Sequence, residues 1–243
     1  TAGSNVRIEG NGHIIAPSET FIDKVQGGSP TYRIFSLSGA SLTMDHLILD
    51  GQGSESFTII GVNLQASPLS ADGVRPLLIL NEGTEIRNMY FGNFGAVTNN
   101  NGDVIMNGGS IHDNVCTAYA GGSGAVSLRG TYQNTLFQMN GGEIYNNSST
   151  HIGGAISNLN TRNENKVVIN DGHIYGNVVY DKDDLPFGND GTPAYGGAIA
   201  IAGGFGDSYP ILQINGGTIS QNTARGGGAI YASHAKVEMT GGE

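Results

Sequence analysis

Asn140-Gly141-Gly142-Glu143-Ile144-Tyr145-Asn146-Asn147 decides the fold, because the sequence writes this pattern four times. The other copies are Asn107-Gly108-Gly109-Ser110-Ile111-His112-Asp113-Asn114, Asn170-Asp171-Gly172-His173-Ile174-Tyr175-Gly176-Asn177 and Asn215-Gly216-Gly217-Thr218-Ile219-Ser220-Gln221-Asn222. A degenerate copy, Glu85-Ile86-Arg87-Asn88, precedes them. Each copy is followed by Gly-Ala-Val or Gly-Ala-Ile, at Gly95-Ala96-Val97, Gly124-Ala125-Val126, Gly154-Ala155-Ile156, Gly197-Ala198-Ile199 and Gly228-Ala229-Ile230. Short apolar or alternating runs, such as Leu136-Phe137-Gln138-Met139 and Ile211-Leu212-Gln213-Ile214, come before each copy. Runs of this length suit strands and are too short for helices. Each repeat therefore holds three short strands separated by Gly and Asn turns. Such a unit cannot bury its apolar face alone, but stacked on its neighbours it builds a continuous core.

This pattern predicts an all-β fold, a right-handed single-stranded parallel β-helix with three short strands per rung. Rungs should lie about 4.8 Å apart, as in any sheet. Glycine supplies the positive φ that sharp corners need. The small Ala of Gly-Ala-Ile is expected to let the coil pack closely, with Ile and Val inside. Asn114, Asn147, Asn177 and Asn222 recur at one register and should stack as a structural ladder. The motif isoleucines at 86, 111, 144, 174 and 219 are spaced by 25, 33, 30 and 45 residues, so the longest repeat carries an insertion. The N-terminal third follows the scheme less regularly. Residues 1–243 read as one solenoid domain with loop insertions at 52–75 and 178–195. Thr240-Gly241-Gly242-Glu243 begins another copy, so a fragment continuing beyond the C-terminus is expected.

Composition narrows the class. The 243 residues include 40 glycines and 24 asparagines, and 13% are charged. Low charge removes the signature of disorder, and aperiodic glycine with little proline removes collagen. The single Cys116 excludes an internal disulfide framework and a Cys-rich zinc site, and it should pack as a small apolar residue. No apolar run reaches the roughly 20 residues that span a bilayer, so no transmembrane segment is expected. A net charge of -10 without a basic stripe argues against nucleic acid as a partner.

The Gly-Gly-Ala-Ile and Ile-x-x-Asn elements between Ile86 and Glu243 resemble the repeats of bacterial surface β-helix proteins. Among these are the polymorphic membrane proteins of chlamydiae, autotransporter adhesins that favour Phe where this sequence has Ile. The Asn-Gly-Gly-x-Ile-x-x-Asn pattern is also similar to repeats in large cell-wall proteins of Gram-positive bacteria. The resemblance implies an extracellular or cell-surface chain acting as an adhesin-like binding module or rigid stalk. Its implied partners are host or environmental glycans or surface proteins. It carries no catalytic residue across.

Three groups of residues are candidates for chemistry. The insertion at 178–195 holds Asp181, Asp183, Asp184 and Asp190 among Tyr180, Phe187 and Tyr195. Asp183 and Asp190 are candidate catalytic carboxylates, and Asp181 and Asp184 candidate ligand contacts. Asp181, Asp183 and Asp190 are candidate Ca²⁺ ligands, since a hard cation wants several oxygens, although their order matches no EF-hand loop. No other cofactor is expected, and a solvated acidic loop would look the same. The second group is a pair of columns flanking the motif isoleucines. Glu143 and His173 should be neighbours in one, and Tyr145 over Tyr175 in the other should form a flat aromatic strip suited to a sugar ring. The third group is Asp45, His46, Asp50, Glu55 and Asp72. Glycoside hydrolysis needs two carboxylates about 5–9 Å apart. The alternative function is accordingly a carbohydrate-active enzyme, a glycoside hydrolase or polysaccharide lyase using loop carboxylates.

Overall fold

The computed structural model describes residues 3–18, 31–53, 58–64, 74–117, 122–130, 133–159, 164–180, 194–203 and 209–243. The alternating segment before each motif becomes one strand of a long face. Asn5–Glu9, Ser41–Asp45, Leu77–Leu80, Asp103–Met106, Leu136–Met139, Lys166–Ile169, Ile211–Ile214 and Lys236–Met239 form one eight-stranded sheet. The chain then turns through Asn-Gly-Gly into a motif face. Here Ile14–Ile15, Ile48–Asp50, Glu85–Arg87, Ser110–His112, Glu143–Tyr145, His173–Tyr175 and Thr218–Ser220 lie side by side. The five Gly-Ala-Ile or Gly-Ala-Val segments, with Thr31–Leu37 and Thr58–Leu64, make a third face of seven strands that ends at Ile230–Ser233. The 52–75 stretch, expected as a loop insertion, therefore contributes a strand to the coil, because Thr58–Leu64 pairs in register with the rungs on both sides. Among the described residues every strand pairs in parallel and no helix occurs, so the chain is a parallel β-helix. No helix long and apolar enough to cross a membrane is found among them.

Four rungs carry a further strand of two residues each: Tyr90–Phe91, Val115–Cys116, Ser148–Ser149 and Val178–Val179. This fourth sheet joins the motif face to the Gly-Ala-Ile face. Two residues carry no measurable period, which is why only three strands per rung are legible in the sequence.

Two left-handed corners frame each motif strand. The second motif glycine makes the first, with φ of 75° at Gly109 and 88° at Gly142. The residue two after the isoleucine makes the second, at φ 52–55° for Asn88, Asp113, Asn146 and Gln221. Asn and Asp tolerate this region better than most side chains because a short polar group bonds locally. Close packing of the coil falls on the glycine before the alanine, while Ala96, Ala125, Ala155 and Ala198 are simply buried. A Cβ on Gly124 would stand 2.5 Å from the Gly154 carbonyl oxygen of the next rung, and Gly154 and Gly197 face Gly197 and Gly228 more tightly still.

Inside, Ile86, Ile111, Ile144 and Ile174 are fully buried in one register, beside columns such as Leu78, Val104, Phe137, Val167 and Leu212. Burying each such side chain contributes about 1.5–3 kcal/mol. Cys116 is buried too. Asn114, Asn147 and Asn177 have no exposed surface, and their amides form a line. Asn114 donates to Asn147 at 2.8 Å, Asn147 to Asn177 at 2.9 Å and Asn177 to Asn222 at 2.9 Å. Each Nδ2 also donates to a carbonyl of an earlier rung, as Asn147 does to Ile111 at 2.9 Å. The polar groups of the inner corner are thereby paired without water.

A second ladder runs along the surface and was not anticipated. The first Asn of each motif donates to its predecessor: Asn215 to Asn170, Asn170 to Asn140, Asn140 to Asn107 and Asn107 to Asn81, at 2.8–3.0 Å. Asn81 continues it to Asp45 at 2.9 Å. From amide to amide, the inner ladder donates toward the C-terminal rungs and the outer one toward the N-terminal rungs.

Candidate functional site

Strand side chains alternate, so an inward isoleucine fixes its two neighbours outward. The register places Glu85, Ser110, Glu143, His173 and Thr218 in one outward column and Arg87, His112, Tyr145, Tyr175 and Ser220 in the other. In the second column the rings of His112 and Tyr145 stack with centroids 4.6 Å apart and planes 3° from parallel. Tyr145 and Tyr175 follow at 5.1 Å and 7°.

This geometry corrects the expected flat strip. Rings that stack on one another along the coil hide their faces and turn their edges and hydroxyls to solvent. His112 joins the stack, although the sequence singled out only the tyrosines as its aromatic members. An imidazole is as flat as a phenol, and its place at the position after the isoleucine was the available signal.

The N-terminal end of the column is a network of charges. Arg87 donates from Nε to Asp50 at 3.0 Å and from Nη1 to Glu85 at 2.8 Å. His112 holds Asp113 at 2.7 Å through Nδ1 and lies 3.7 Å from Glu85 through Nε2. Further along, Tyr145 and Tyr175 both have phenols raised above the ordinary value. Burial is the main cause for each; the nearby Tyr175, Asp113, Glu143 and Glu85 add to it at Tyr145, and Glu143 at Tyr175. The column thus presents neutral hydroxyls in a negative field.

In the third candidate group, Asp45 and Asp50 are each held by an arginine. Asp45 ends a long-face strand, where Arg7 grips it through Nε at 3.0 Å and Nη2 at 3.1 Å and Asn81 donates as well. Asp50 ends a motif-face strand and is bound by Arg87, by Asn88 at 3.1 Å and by the Gln52 amide at 2.9 Å. Both carboxylates therefore hold corners. His46 lies 3.2 Å from Glu9 and lines an open hollow with Asn11, Ile48 and Glu85. Glu55 and Asp72 lie outside the described residues, as do Asp181, Asp183, Asp184, Phe187 and Asp190 with their proposed ligand, catalytic and Ca²⁺ roles. Among the described residues no three His, Cys, Asp or Glu gather to hold a metal.

Asp50 gives a test by pH. Burial works to raise its carboxyl, but hydrogen bonds from Gln52, Asn88 and Arg87, with the Arg87 charge, outweigh that and hold it below the ordinary value. A depressed folded value stabilises the protein above the unfolded carboxylate range, about 3.9, and that stability is lost as pH falls through the folded value. Asp50→Asn should lower the urea midpoint at neutral pH and flatten its decline below about pH 4. An unchanged acid limb would show that the Arg87–Asp50 pair does not hold this corner.

One aromatic contact has no counterpart in the motif. Tyr195 and Tyr231 stack at 4.0 Å and 7°, beside the Gly-Gly-Ala corners. Comparison of the chain with protein-family models, curated proteins and solved structures gives no match.

Proposed function

We propose that the chain is a surface-exposed or secreted bacterial β-helix whose motif face binds glycans, with the coil serving as a rigid stalk. The observation that carries this reading is the stacked column His112–Tyr145–Tyr175 beside Glu143. Aromatic rings combine apolar area with hydroxyls that accept and donate, which is the combination a sugar requires. Apolar residues and paired asparagines fill the inside of the coil, so recognition falls to the outward columns. The resemblance to adhesin repeats points the same way. The enzyme alternative rests on carboxylates outside the described residues and on Asp45 and Asp50, each tied to an arginine, and no described observation favours it.

A glycan array tests the reading. The chain should retain a set of neutral glycans, and the double variant Tyr145→Leu, Tyr175→Leu should lose them while keeping its β-sheet circular dichroism. A folded chain that retains no glycan, or a double variant that binds like the parent, contradicts the proposal.

A further inference from the structure

We propose that the outer face of Tyr175, at the level of Ser220, is a shelf for one uncharged pyranose ring. This rests on the glycan-binding reading and assigns it a position. Three successive rungs put a ring in the column, at His112, Tyr145 and Tyr175. Tyr145 has a ring on each side, whereas among the described residues Tyr175 has one only on the side of Tyr145. The next residue in register is Ser220, whose side chain carries two heavy atoms where the preceding rungs carry a ring. The rings already stack at 4.6 and 5.1 Å, close to the strand spacing of about 4.8 Å. The layer at Ser220 therefore has the thickness of one ring.

The chemistry around this layer selects the occupant. The face of Tyr175 is the negative side of its ring quadrupole and favours the weakly positive C–H face of a pyranose. Half-buried Thr218, in the adjacent column, and Ser220 offer hydroxyls at its margin. Glu143 lies on the rung adjacent to Tyr175, near enough for its charge to raise the phenol, and the chain carries a net charge of -10. Uronic and sialic acids would meet repulsion there. A single stacked ring supports a dissociation constant on the order of a millimolar. Useful retention on a surface would then come from many copies acting together.

Saturation-transfer and shift-perturbation NMR with cellohexaose, beside a galacturonate hexamer, tests the shelf. The parent chain should transfer saturation to the C–H protons of cellohexaose, shift the Tyr175 ring signals and ignore the galacturonate. Ser220→Tyr continues the stack by a fourth ring and should weaken cellohexaose binding at least tenfold, whereas Ser220→Ala should stay within twofold. Should Ser220→Tyr not fold, Tyr175→Leu removes the face and should show the same loss. Cellohexaose binding that leaves Tyr175 unmoved, or that survives both Ser220→Tyr and Tyr175→Leu, overturns the shelf while the glycan reading stands. Preference for galacturonate overturns the charge argument and with it the assigned occupant. Failure of the parent chain to bind either sugar overturns the shelf, and failure across the array as well overturns the glycan reading.

Discussion

Gly197→Ala is expected to destabilise the coil by about 3 kcal/mol, at the upper end of the usual cost of overpacking, and Gly154→Ala by a similar amount. The added methyl at Gly197 would run into the Gly228 carbonyl and the Thr223 backbone, and that at Gly154 into the Gly197 carbonyl and the Val178 amide. Backbone atoms held by ladder hydrogen bonds cannot rotate away as a side chain can. Neither glycine sits at positive φ, so steric contact alone sets the cost. Gly92→Ala is the internal control, because no described atom lies within 4 Å of the methyl it would add and its φ is not positive. That change should be neutral, or slightly stabilising through the reduced freedom of the unfolded chain. Thermal unfolding reads the contrast at about 2–4 °C per kcal/mol for a chain of this size. Equal midpoints for all three variants would show that the rungs do not approach as closely as described.

Asn147→Ala is the second large expected effect, at about 4 kcal/mol, because more than one buried polar group loses its partner at 1–3 kcal/mol each. Asn147 Nδ2 serves the Ile111 carbonyl, the Tyr145 carbonyl and Asn177, and its Oδ1 receives Asn114 at 2.8 Å. All of this lies at a site without water access. The outer ladder gives the comparison. Asn140→Ala breaks the bonds to Asn107 and Asn170, but water replaces them on an exposed face, so the cost should stay within about 0.5 kcal/mol. Urea midpoints of the two variants should differ clearly. If they are alike, burial is not what gives the inner ladder its strength.

Much of this architecture was legible because the motif is periodic. The spacing of Ile111, Ile144 and Ile174 sets the register, and the recurrence of Asn114, Asn147 and Asn177 marks a column that the hydrogen bonds then join. What escaped the sequence did so for physical reasons. The corner strands, such as Val115–Cys116, are two residues long and leave no period. The first Asn of each motif reads as a turn residue, since Asn-Gly is a turn signal, which conceals its second role in the outer ladder. The partners of Asp45 and Asp50 lie 38 and 37 residues away in Arg7 and Arg87, in N-terminal rungs where the motif is degenerate. Spacing placed Tyr145 over Tyr175, but ring orientation depends on χ angles that spacing does not encode, so the stack came as edges where a flat strip was expected.

The repeat aligns each motif directly over the last, and this register builds the column. Disulfide trapping on the exposed side tests it most directly. Glu143 and His173 are in-register neighbours, so a Glu143→Cys, His173→Cys variant places its Cα atoms about 4.8 Å apart, within disulfide reach. Ser110 and His173 are two rungs apart, at roughly 9.6 Å, beyond the roughly 7 Å that a disulfide can bridge. Cys116 is buried and does not interfere. Under mild oxidation of the folded chain, the first pair should close in nearly every molecule and the second should stay reduced. Closure of the Ser110→Cys, His173→Cys pair with the first pair left open would contradict the register, and with it the column, the ladders and the shelf.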